Sequence, residues 1–259
     1  MIQREFALNA QKALQEDEDV IGLAVAGSWL TNELDEYSDL DLILVTQHRL
    51  SDDKSKMLEY ATRLGKLLNG FTGEHVGEPR VLICLYDEPL LHVDIKFLTL
   101  EEFGPRVEDP ILMIDRDGQL SSIMSETKAE FPYPDYQWIE DRFWTWIHYA
   151  LLKIGRGEHT EAFDFSAFMR MVVFGPLLHI KNSNQPRGVR KAETTLSTED
   201  FDKLKATLPT YDKASLLSSL RNSVKLYKQL QRSLFGSDIR LATMTEESVM
   251  KYFDQIESK

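Results

Sequence analysis

The sequence predicts an α/β (α+β) domain with a small mixed sheet, followed by an all-α helical bundle. Two observations point there. Apolar runs of strand length alternate with helical patterns in the first half, whereas every pattern in the second half has helical spacing. Between them lies Phe131-Pro132-Tyr133-Pro134-Asp135-Tyr136, where two prolines remove backbone donors and hold their neighbours extended. The expected domains are therefore residues 1–130 and 131–259.

In chain order, residues 2–16 place Ile2, Phe6, Leu8, Ala13 and Leu14 near one face of a helix, and 20–26 (VIGLAVA) form a short strand. DLDLILVT, from Asp39 to Thr46, alternates acidic and apolar residues before turning fully apolar, as a strand does when one face meets polar chemistry at its start. Ser51 followed by DDKSKMLEYATRLGKLLNG predicts an N-capped helix that stops at Gly70. Arg80–Tyr86 and Leu91–Leu98 predict an antiparallel hairpin, and 111–115 an edge strand followed by a turn and a short helix. Beyond the linker, helices are expected near 136–156, 160–181, 198–207, 213–235 and 244–257, with a polar loop at 182–195.

The 259 residues are 42% hydrophobic and 28% charged, which excludes general disorder. Residues 1–130 carry a formal charge of −14 and 131–259 one of +2. Phosphate backbones are repelled by so acidic a domain, so a polynucleotide substrate is disfavoured and a small or cationic acceptor is easier to accommodate. Cys84, in the apolar run VLICLY, is the single cysteine and reads as a small buried hydrophobe in a reducing compartment. The start of the chain is amphipathic and acidic, and no run of about 20 apolar residues stands out, so a cytoplasmic protein without membrane spans is expected.

The informative constellation is Gly27-Ser28, then ten residues, then Asp39-Leu40-Asp41. Carboxylates two apart on a strand project to one side, and their repulsion is costly unless a cation intervenes. Magnesium favours such oxygen ligands. Gly27 permits close backbone approach, and Ser28 opens a short helical turn whose amides suit a triphosphate. Asp94 interrupts the apolar strand LLHVDIKFL and is placed to complete a site for two Mg2+ ions. Read singly, Asp39 is also a turn or cap residue, and Asp41 a solvated strand residue. Lys96 shares the face of Asp94 and either contacts phosphate or pairs with that carboxylate.

The ordered set GS…SDLDL…VDIKF resembles the nucleotidyltransferase superfamily related to DNA polymerase beta, over most of the first 100 residues. Phe143-Trp144-x4-Tyr149-x3-Lys153-x2-Arg156-x-Glu158, with LTLEEF and IDRDGQL, is similar to bacterial aminoglycoside 6-adenylyltransferases, and its RGE ending to lincosamide nucleotidyltransferases. This resemblance implies transfer of AMP from ATP to a hydroxyl of a small, antibiotic-like acceptor. Asp39, Asp41 and Asp94 would hold the metals, and Gly27, Ser28, Lys96, Tyr149, Lys153 and Arg156 would bind the nucleotide. Tyr149, Lys153 and Arg156 share a helical face, which reads equally well as a solvated helix end with favourable charge. An acidic general base is also implied, with Glu140 the first candidate and Asp141 and His148 as others. Arg187, Arg190 and Lys191 offer a second phosphate contact or a solvated loop. Trp138, Trp144, Trp146, Phe165 and Phe168 are expected in the bundle core. Two other function classes fit the same residues: an antitoxin-type enzyme that adenylylates a partner protein, and a non-catalytic nucleotide sensor. A homodimer is compatible with each.

Overall fold

The computed structural model describes residues 1–258, and the chain divides into two compact units, Met1–Phe131 and Pro132–Lys259. The first unit is built on six strands: β1 (Val20–Val25), β2 (Leu40–Thr46), β3 (Lys66–Gly73), β4 (Glu78–Asp87), β5 (Leu91–Leu98) and β6 (Ile111–Asp115). They lie in the order β3-β4-β5-β2-β1-β6. Only β2 and β5 pair in parallel, so the sheet is mixed.

Alternation along the strands assigns each face its chemistry. Leu40, Leu42 and Leu44 of β2 join Val93, Ile95 and Phe97 of β5 in a large core, to which α1 (Ile2–Leu14) and α2 (Lys54–Arg63) contribute Ala7, Ala10, Leu14, Met57 and Ala61. The opposite face has a smaller core of Ile21, Val45, Leu98, Phe103 and Leu120, the last two from α3 (Leu100–Phe103) and α4 (Gln119–Glu126). It lies towards the ends of β2 and β5. Asp41, near the start of β2, and Asp94 and Lys96, within β5, are left half-buried on that face.

Two sequence expectations change here. The buried side of α1 is Gln3, Ala7, Ala10 and Leu14, whereas Leu8 is exposed. Gln3 is tolerated inside because its amide donates to the carbonyls of Asp35 (2.9 Å) and Ser38 (2.7 Å), tying down the loop that leads to Asp39. The helix expected from Ser51 to Gly70 is instead a short α2 and then strand β3. Asp53 is the N-cap, accepting from the amides of Ser55 and Lys56. Gly70 is a point of close approach: a Cβ there would lie 2.7 Å from Leu58 Cδ2 of α2.

The second unit is helical throughout: α5 (Tyr136–Arg156), α6 (His159–Met169), α7 (Gly175–Lys181), α8 (Ala192–Thr195), α9 (Thr198–Lys205), α10 (Lys213–Leu234) and α11 (Thr243–Glu257). A π-helical turn, Arg170–Phe174, joins α6 to α7. Phe143, Trp144, Phe174, Tyr227 and Phe253 centre the core, and the Phe143 and Tyr227 rings stack with centroids 3.6 Å apart. Trp144 is buried as expected, but Trp138 and Phe168 are 42% exposed, because the edge-to-face contacts Trp138–Trp146 and Trp146–Phe168 run along the outside of α5 and α6. Against expectation, His159–Lys181 is long and apolar enough to cross a membrane by length and composition, but 56% of its most apolar stretch is buried in this core.

The capping geometry makes a direct prediction. Asp53→Ala should lower stability by about 1 kcal/mol, while Ser51→Ala changes it little; urea denaturation of both variants checks the assignment, and the reverse order would return the cap to Ser51.

Candidate functional site

The site begins where β1 ends. Gly27 has φ of 65°, and a Cβ on it would stand 2.0 Å from Asp41 Oδ2, so the carboxylate lies directly against the glycine. The Ala26 amide donates to the Asp41 carbonyl at 3.1 Å, holding the two strands together at this level. One strand further on, Asp41 is the register partner of Asp94 in the parallel β2–β5 pair. Asp41 and Asp94 thus lie side by side on two neighbouring strands, with Gly27, in the turn that follows β1, against Asp41. Asp39 is two residues before Asp41, at the entrance to β2.

Among the described residues no three His, Cys, Asp or Glu side chains are grouped as metal ligands. Asp94 Oδ1 is 2.9 Å from Nε2 of His92, two residues back on the same strand face. Lys96 lies 2.9 Å from Glu78, a partner that spacing did not suggest. Arg80 grips the same carboxylate through two bonds of 2.7 Å. Those hydrogen bonds, Arg80 first, hold the Glu78 carboxyl at about 2 despite partial burial.

Sequence reasoning also missed Glu108. Its carboxylate accepts from the Gly27 amide at 2.8 Å, across 81 residues of chain. A backbone donor expected to face phosphate therefore already faces an anionic group. Glu108 sits in an acidic loop without periodicity, so only three-dimensional proximity reveals it. Ser28 is half-buried beside it in the turn Gly27–Trp29.

In the helical unit, the Tyr149 hydroxyl donates to Glu161, and Lys153 Nζ is 2.9 Å from both Glu158 and Glu161. These two carboxylates raise the Lys153 pKa well above the ordinary lysine range. The structure thus unites Tyr149 and Lys153 in a local network, while Arg156 reaches only 3.9 Å from Glu158 and is largely exposed. Glu140 is corrected outright. It is 1% exposed, and its carboxylate accepts from Tyr227 Oη (2.5 Å), Gln231 Nε2 (2.8 Å) and the Ala242 amide (2.9 Å). A carboxylate so enclosed is a structural acceptor that pins residue 242 to the core, with no access for an external proton. Of the other base candidates, Asp141 is exposed and accepts from Gln137, and His148 packs 5.1 Å from the Tyr252 ring.

No protein-family model and no curated protein matches this chain. The solved structures similar to it include the following two. One is an aminoglycoside 6-adenyltransferase from Bacillus subtilis, with 15% identity, 100% of this chain and 99% of that chain covered, and a TM-score of 0.42. The other is a nucleotidyltransferase-like protein from Exiguobacterium sibiricum 255-15, with 12% identity, coverage of 91% and 79%, and a TM-score of 0.35.

Two outcomes are expected from these contacts. Gly27→Ala must strain a positive φ and displace Asp41, costing about 1–3 kcal/mol; unchanged urea stability would mean that Asp41 does not rest on this glycine. Glu140→Ala leaves three donors without an acceptor, one of them buried Tyr227, and should cost about 3 kcal/mol, with Glu140→Gln losing less. Denaturation midpoints read both, and a loss below about 0.5 kcal/mol for the alanine variant would remove the structural role.

Proposed function

We propose that the Met1–Phe131 unit transfers a nucleoside monophosphate from a nucleoside triphosphate, by our reading ATP, to a hydroxyl of a small acceptor, releasing pyrophosphate. The observation that carries this reading is the row formed by Gly27, just after β1, Asp41 on β2 and Asp94 on β5, with Asp39 at its edge. The donor set is all hard oxygen and suits magnesium. Because Gly27 has no side chain, the Asp41 carboxylate rests against the backbone beside the Gly27 amide, so cation and phosphate would be held next to each other. Bound between these carboxylates, divalent cations would neutralise phosphate charge and favour in-line displacement at the α-phosphorus. The chain's own part is positional: Asp41 held against Gly27, Asp94 held beside Asp41 by the strand register, and Asp39 brought near by the loop that Gln3 secures.

Asp94 must exchange His92 for the incoming cation, and the Gly27 amide must exchange Glu108 for phosphate. Lys96, Tyr149, Lys153 and Arg156 would contact the nucleotide only after losing or loosening the carboxylate partners described above. We assign acceptor selection to the helical unit, on the resemblance of the Phe143–Glu158 run to aminoglycoside and lincosamide enzymes. The same internal pairs favour a second reading, a nucleotide-binding module without turnover, since they satisfy locally the groups that chemistry would use.

Incubating the full chain with α-labelled ATP, magnesium and a panel of aminoglycosides and lincosamides tests both. Transfer of label to an acceptor, reduced about a thousandfold by Asp41→Asn, is the expected result. Magnesium-dependent ATP binding by calorimetry with no transfer would favour the module. No transfer and no nucleotide binding, with wild type indistinguishable from Asp39→Ala in both assays, would end the nucleotide reading altogether.

A further inference from the structure

The helical unit carries a pocket of about 260 Å³, of whose walls the reading above uses Arg156 alone. Its walls are Leu152, Gly155 and Arg156 of α5, Lys213 at the start of α10, and Tyr252 and Ile256 of α11. Gly155 keeps it open, since a Cβ there would already stand 3.3 Å from Ile256 Cδ1.

Its charge is one-sided. Arg156 lies 3.9 Å from Glu158 and also feels the Glu161 carboxylate, but Lys153 holds both of these acids more closely, at 2.9 Å each. Among the described residues Lys213 forms no ion pair. Asp212, its neighbour in sequence, spends its carboxylate on the Ser215 amide (2.8 Å) and the Thr210 hydroxyl (2.6 Å). Two cations lining one small cavity repel each other, and a doubly charged anion relieves that repulsion. A guanidinium fork suits phosphate oxygens, an ammonium adds a point charge, and the Tyr252 phenol can donate a further bond. The remaining surface, from Leu152, Ile256 and the Tyr252 ring, is apolar and suits the organic part of an ester.

We propose that this pocket binds an organic phosphate monoester. The site is separate from the Gly27–Asp41–Asp94 row in both residues and chemistry, and stands whether or not the chain transfers nucleotides. Its ligand is recognised through a dianionic head held by Arg156 and Lys213 and an apolar tail laid against α11.

Phenyl phosphate is the probe, titrated into the full chain by calorimetry. Millimolar or tighter binding is expected for wild type, with inorganic phosphate weaker because it leaves the apolar wall uncovered. The double variant Arg156→Gln/Lys213→Gln should weaken phenyl phosphate binding by about tenfold or more. Lys203→Gln, which removes a cation of the same unit that is already held by Glu199 and Asp200 and does not line the pocket, should leave it within about twofold. Circular dichroism melts establish that each variant is folded. No binding by wild type, equal binding by wild type and the double variant, or an equal loss in Lys203→Gln would overturn the proposal.

Discussion

The parallel pairing of β2 and β5 is the constraint on which the candidate site depends. In a sheet that is otherwise antiparallel, this one pair sets Leu40 beside Val93, Asp41 beside Asp94 and Leu42 beside Ile95. Both strands bury their alternate apolar residues on the same face, so a one-residue slip would carry two carboxylates into the larger core and several leucines out of it. The burial of Leu42, Val93 and Ile95, each 1% exposed or less, therefore enforces the proximity of Asp41 and Asp94. Hydrophobic energy thus fixes two acidic positions side by side in the sheet.

The charges around these positions are answered locally. His92 takes one oxygen of Asp94, Lys96 and Arg80 share Glu78, and Arg49, just beyond β2, lies 3.2 Å from Glu102 of α3. The low carboxyl pKa of Glu78 expresses the same balance, because two adjoining cations stabilise its charged form more than partial burial opposes it. A bound cation would replace some of these contacts rather than fill a vacancy among free groups. The competition between internal pairs and an incoming ligand thus becomes part of any affinity the site has.

Much of this was legible in the sequence where periodicity and chemistry coincide. DLDLILVT declares both its strand and its polar face, and LLHVDIKFL shows one acid in an apolar alternation, so β2, β5 and the row they share could be read directly. The strand β3 could not. Leu64, Leu67 and Leu68 repeat at helical spacing, and Gly70 imitates a helix stop, because an exposed edge strand has no buried face to impose a period of two. Glu140 failed for a different reason: its helical stripe with Trp144 and His148 was correctly placed, but only the convergence of α10 and the segment before α11 shows that the stripe points into the core. Glu108 and Glu78 act through contacts with residues distant in sequence or differently paired, and nothing in their own neighbourhoods marks them.

The end of α5 makes the same point about charge. Lys153 and Arg156 are three residues apart and carry the same sign, so helical spacing alone treats them as one patch. Helix spacing fixes only which side chains can meet; what they meet is set by the other helices. Glu158 and Glu161, at the start of α6, absorb Lys153 and the Tyr149 hydroxyl, whereas Arg156 opens towards Lys213 and Tyr252. One cation is thereby spent on joining α5 to α6, and the other keeps its charge available to a ligand. A basic motif read from spacing is therefore best divided by its carboxylate partners before any part of it is assigned to phosphate.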